Sequence, residues 1–179
     1  LFVAAKPQHE AYEWSECSRC AVGQYLDSIG RKIPLFDWNG ELAVMNELAG
    51  LESISQLPGY EDATPDTAQA VLEEAAKFNE QVVAPLNRVG DLNPSSWKDG
   101  VVTTTPGFSD AFRQFGEGGW QGVLHPSEFG GQGLPKLVAT PCNEMLNAAN
   151  LSFALCPLLT DGAIEALLTL LELIRKQLD

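Results

Sequence analysis

The sequence predicts an all-α protein, a helical bundle of about five or six helices. Three observations carry that reading. From Glu41 onward, apolar residues recur at three- and four-residue spacing. Two Thr-Pro pairs, Thr64-Pro65 and Thr105-Pro106, stand where helices should open. The chain then closes on a regular leucine-rich stripe from Ile164 to Leu178.

Residues 1–40 show no lasting period and read as a loosely structured leader, with a short helix predicted through "CAVGQYLDSI" by the spacing of Val22, Leu26 and Ile29. Residues 41–179 read as the helical domain. Leu42, Met45, Leu48 and Ala49 share one face, and Gly50 is placed to end that helix. "LPGY", Leu57 to Tyr60, marks a turn. Thr64, Pro65 and Asp66 then supply a capping hydroxyl, a proline at the first helical position and an acid in the first turn. Ala68, Val71, Leu72, Ala75, Phe78, Val82 and Leu86 trace its stripe, and Pro85 is expected to kink or end it.

"DGVVTTT", Asp99 to Thr105, predicts a short extended piece. Phe108, Ala111, Phe112 and Phe115 predict the next helix, closed by Gly116. Another starts after Gly133 with Pro135 in its first turn; Pro141 should interrupt it, at ~3 kcal/mol unless the helix restarts there. The last helix is expected to start near Asp161, with Ile164, Leu167, Leu168, Leu171, Ile174 and Leu178 as its stripe, widened by Leu170 and Leu173.

The net charge of -13 over 179 residues argues against nucleic acid and anionic membrane surfaces as partners, since both would repel the chain. No uninterrupted apolar run approaches the ~18 residues that suggest a membrane span. Four cysteines do not make a disulfide framework in a chain this long, so the expected setting is cytoplasmic or an organelle interior, with reduced thiols. The first residue is Leu1, which reads as a processed, trimmed or partial chain.

Few motifs offer chemistry. "EFGGQGLPKL", Glu128 to Leu137, could be a phosphate cradle or a sharp corner. No buried strand precedes its glycines, the spacing is GGxG, no Lys-Ser/Thr pair follows and Glu128 adds negative charge, so it reads as a corner needing positive φ and close packing. Cys17 and Cys20 form half of a zinc site, with His9 as a third candidate and no evident fourth ligand; they read as incidental cysteines. His125, before Pro126, has no Ser or Cys at triad spacing and reads as a loop residue, not a base. Glu73, Glu74 and Glu80 read as a solvated helix face.

"GWQGVLHPSEFGGQGLP", Gly119 to Pro135, closely resembles a hallmark of the acyl-CoA dehydrogenase N-terminal domain. "LNELAGLESISQLPGYEDATPD", "EQVVAPLNRVGD", "VVTTTPGFSDAFRQFGEGGW" and "NAANLSFALCPLLTDGAIEAL" are similar to successive stretches of the same family. The likeness covers about residues 41–168. It implies the helical first domain of a three-part flavoprotein subunit that removes the α and β hydrogens of an acyl-CoA thioester. In that family a glutamate takes the α proton and FAD the β hydrogen as hydride.

Carried over by motif position, the resemblance implies that Phe153, Leu155, Leu158, Leu159, Thr160 and Gly162 approach the acyl chain or the flavin side. The alternative for these residues is ordinary helix packing. No catalytic residue is carried over, because the resemblance supplies neither the base nor the middle-domain flavin contacts. Departures from the pattern are residues 1–40, Pro141, and the helical "TLLELIRKQLD" where the family has a His-Gly turn. The expectation is therefore a first domain inactive alone, whose FAD binding is doubtful and whose acyl-CoA substrate belongs to a longer protein. The competing expectation is a non-enzymatic interaction module. In both, the wide leucine face of the last helix is expected to drive self-association.

Overall fold

A computed structural model describes residues 38–178. Residues 1–37, with Cys17, Cys20, His9 and the predicted short helix, lie outside the described residues, and residues 38–40 of the expected leader are helical. The described chain is helical apart from one small hairpin.

Helix α1, Trp38–Glu47, buries Met45 and packs Leu42 against the core, but it ends before Leu48, which is 82% exposed. The expected face therefore loses Leu48 and Ala49. Gly50, at φ 69°, turns the chain into α2, Leu51–Ile54, whose first leucine is completely buried. The Leu57–Tyr60 turn forms as expected, with the Tyr60 N–H donating to the Leu57 carbonyl at 3.1 Å.

Helix α3, Pro65–Phe78, opens on Thr64, whose hydroxyl accepts from the Thr67 N–H at 3.2 Å. It continues through a π-helical segment, Asn79–Val83, into α4, Ala84–Leu92. Pro85 neither ends nor breaks this run. A proline lacks the N–H that an α-helix needs and crowds the carbonyl four residues back; the wider π turn ahead of it relieves that crowding.

The extended piece is half of a hairpin: β1, Ser96–Lys98, pairs antiparallel with β2, Val101–Thr103. Asp99 and Gly100 make the tight turn, both at positive φ (50° and 81°), the conformation that Asp-Gly accepts most readily. Thr105 does not cap the next helix. It is buried, and its hydroxyl donates back to the Asn93 carbonyl, so the cap position falls to Gly107. Helix α5, Phe108–Glu117, runs through Gly116 and is ended instead by Gly118 and Gly119, the latter at φ 76°.

Helix α6, Lys136–Ala149, is continuous through a buried Pro141, against expectation. The apolar face on either side (Val138, Ala139, Cys142, Met145, Leu146) is buried against α3 and its π segment, and that packing outweighs one lost backbone bond. Helix α7, Leu151–Leu178, starts ten residues before the expected Asp161. Its start is set by Asn150, whose side-chain oxygen accepts from the Phe153 N–H at 3.1 Å. The core lies between α3, α5, α6 and the first turns of α7, where Phe153 meets Phe108, Phe112 and Phe115 with ring centroids near 6 Å apart.

Candidate functional site

The glycine corner is settled by its backbone bonds. The N–H groups of Gly130, Gly131, Gln132, Gly133 and Leu134 donate in turn to the carbonyls of Ser127, Pro126, Gly122, His125 and Val123. None is left facing outward for an anion, which is what a phosphate cradle requires. Gly130 and Gly133 have φ of 84° and 67°, and a Cβ on Gly131 would lie 2.0 Å from the His125 carbonyl oxygen. This is a corner, as its sequence predicts.

His125 is a loop residue, but a buried and bonded one. It is 5% exposed, and its Nε2 lies 2.9 Å from a carboxylate oxygen of Asp161 on α7. Gln121 donates to the same oxygen and to the Pro157 carbonyl. Sequence reading missed this knot because its members lie 36 and 40 positions apart. Lys136 on α6 pairs with Glu165 one turn further along α7, and that ammonium holds the Glu165 carboxyl below its ordinary range. Glu73 and Glu74 sit on the surface and share Lys77.

The six residues placed on α7 by resemblance do not form one lining. Phe153 points inward and is 2% exposed, a core residue in the phenylalanine cluster. Leu155, Leu158 and Leu159 face outward at 50%, 53% and 73% exposure. The exposed Thr160 is bonded to its own helix through the Cys156 carbonyl, and Gly162 faces open space. Leu158 and Gly162 border a cleft of about 280 Å³ between α6 and α7, with Leu124 and Ala139 across from them and the Lys136–Glu165 pair at its edge. A larger open groove of about 670 Å³ runs between α3 and α5, over Phe78 stacked on Trp120 at 6.0 Å.

Neither cavity suits a flavin dinucleotide. Its pyrophosphate calls for converging N–H donors or cations. The groove has only carboxylates, Glu74 and Glu117, among its charged lining, and the cleft sets Lys136 against Asp161 and Glu165. Among the described residues no cluster of His, Cys, Asp and Glu could hold a metal ion. Cys142 is no nucleophile: burial pushes its thiol up to about 12.

Comparison with known proteins bears on this helical assembly directly. The family described as "Acyl-CoA dehydrogenase, N-terminal domain" matches residues 65–171, more than half of the chain. Over 130 residues, 69% of its length, the chain is 41% identical to 3-methylmercaptopropionyl-CoA dehydrogenase of Ruegeria pomeroyi, and it spans 22% of that protein. With α3, the glycine corner, α6 and most of α7 all inside the matched region, the chain belongs to the acyl-CoA dehydrogenase family, whose N-terminal domain it contains.

Proposed function

We propose that this domain supplies one apolar wall of the pocket in which an acyl-CoA thioester is dehydrogenated between its α and β carbons. The observation that carries the reading is the division of α7. Phe153, Ala154 and Pro157 anchor it in the core, while Leu155, Leu158 and Leu159 stand outward as a row of alkyl surface beside the cleft. An acyl chain is recognised mainly by such surface, at about 25 cal/mol per Å² of apolar area removed from water. The Ruegeria pomeroyi relative is named for an acyl-CoA substrate, which supports the class of substrate but not its identity here.

In this reading the flavin and the catalytic base come from parts of a subunit other than the described residues. Leu155, Leu158, Leu159 and Gly162 orient the chain and exclude water, and Phe153 holds their helix in place. Orientation alone gives no turnover, because dehydrogenation needs the base and the flavin set against the thioester together. Titrating the chain with a medium-length acyl-CoA and with free CoA tests the wall. Acyl-dependent binding that Leu158→Arg and Leu159→Arg abolish supports it; equal affinity for the two ligands removes it. Dye reduction with acyl-CoA and added FAD is expected to stay at the no-protein blank.

A second reading, association through α7, is favoured by the exposed row that continues past the cleft: Leu167 is 66% exposed, Leu170 53% and Leu173 54%. By length and composition α7 could also cross a membrane, with a mean hydropathy of 1.6 over its most apolar stretch. Asp161 and Glu165 break its apolar sequence, so no uninterrupted apolar run marks it. Those two carboxylates are bonded to the corner and to α6, so they favour a helix lying against its own domain.

A further inference from the structure

Burial changes abruptly along α7. Phe153, Ala154 and Pro157 are buried, whereas no residue from Leu158 to Leu178 is. At that boundary the helix carries two residues that weaken it. Pro157 has no N–H to give the carbonyl of Phe153, and Gly162 has the highest backbone freedom of any residue. Asp161 lies next to Gly162, and what holds it comes from elsewhere in the chain.

One Asp161 carboxylate oxygen accepts from both Gln121 and His125. The facing carboxylate assigns the imidazole proton to Nε2. Among the described residues the opposite ring nitrogen, Nδ1, is buried without a partner, so the bond to Asp161 is the one polar tie of the ring to them. The corner that presents His125 cannot readily follow a moving helix, because its own backbone bonds and the tight approach of Gly131 fix it. Beyond this point α7 is tied at its surface by Lys136–Glu165 and by a longer Arg175–Glu128 contact at 3.7 Å.

We propose that Asp161 is a latch, held by Gln121 and His125, that fixes the second half of α7 against the glycine corner, and that its release frees residues 163–178 as an arm hinged between Pro157 and Gly162. Leu158 and Gly162, which border the cleft, lie within this hinge. The device goes beyond the proposed binding role and stands or falls independently of any ligand.

Amide hydrogen exchange on the whole chain, without ligand, tests it with Asp161→Leu and Asp161→Asn. In Asp161→Leu, peptides covering 163–178 should exchange at least about tenfold faster, with α3 and α6 unchanged. Asp161→Asn keeps an acceptor oxygen for both donors and should stay close to the parent. Unchanged exchange in Asp161→Leu would overturn the latch, and so would acceleration spread evenly over α3 and α6, which would make Asp161 a member of the common core. Should Asp161→Leu fail to fold, Gln121→Ala gives the same readout with the same two overturning results.

Discussion

The glycine corner and the second half of α7 are built on opposite terms. In the corner every N–H from Gly130 to Leu134 has a backbone partner between Gly122 and Ser127, and the backbone approaches itself so closely that one added carbon at Gly131 would collide with a carbonyl. Past Leu158, α7 keeps its own helical bonds but buries no side chain completely. The corner is defined by what the chain does to itself. The arm is defined by whatever lies against it, and that difference decides which substitutions each can absorb.

Gly131→Ala should be the most damaging single change. Its φ is not in the left-handed region, so the penalty is collision: the new Cβ would sit 2.0 Å from the His125 oxygen, a backbone atom tied into the corner. A loss on the order of 4 kcal/mol or more in chemical denaturation is expected, together with displacement of His125 from Asp161. Gly130→Ala meets open space and carries only the strain of a φ near 84°, so a loss of about 1 kcal/mol is expected. Equal losses at the two positions would mean that the corner can relax around either.

Phe153→Ala tests the anchored end of α7 and should come next, at about 3 kcal/mol. The ring contacts Phe108, Phe112 and Phe115 together, so its removal leaves a cavity bordered by α5 that cannot close without moving that helix. A loss below about 1 kcal/mol would show that Phe153 is not the anchor and would return it to the pocket wall.

The corner was readable because glycines, an acid and a proline at fixed spacing leave the backbone few choices. The same holds for Thr64 as a cap. The misreadings share one cause: a local signal was outvoted by packing. Pro141 read as a helix interruption, yet it is buried inside a continuous helix whose apolar face holds it there. The expected start of the last helix is near Asp161, while the actual cap is Asn150 and Asp161 serves a histidine 36 residues away. No periodicity encodes a contact at that distance. The wall residues were placed by resemblance alone, and the structure divides them into one core ring and an outward row that no spacing rule separates.

Gly162→Ala sharpens the comparison from the arm's side. The position is helical, a Cβ there meets nothing within 4 Å, and its φ is not positive, so alanine fits. The change should stabilise α7 by about 0.5–1 kcal/mol and slow exchange around the hinge. A loss of stability instead would mean that this part of α7 lies against something in solution.

The smallest effect on stability is expected from making the outward row polar. Leu159 is 73% exposed, Leu167 66% and Leu170 53%, so each already has most of its surface in water. Glutamine at all three should leave the denaturation midpoint within about 0.5 kcal/mol of the parent per site, the range of surface changes that break no contact. Exposed apolar rows tend to mark association sites, so the parent is expected to sediment as more than a monomer at micromolar concentration and the triple variant as a monomer. A large loss of stability in the triple variant, with a monomeric parent, would show the leucines buried within the same chain. The arm would then be as closely held as the corner, and the contrast between the two regions would fail.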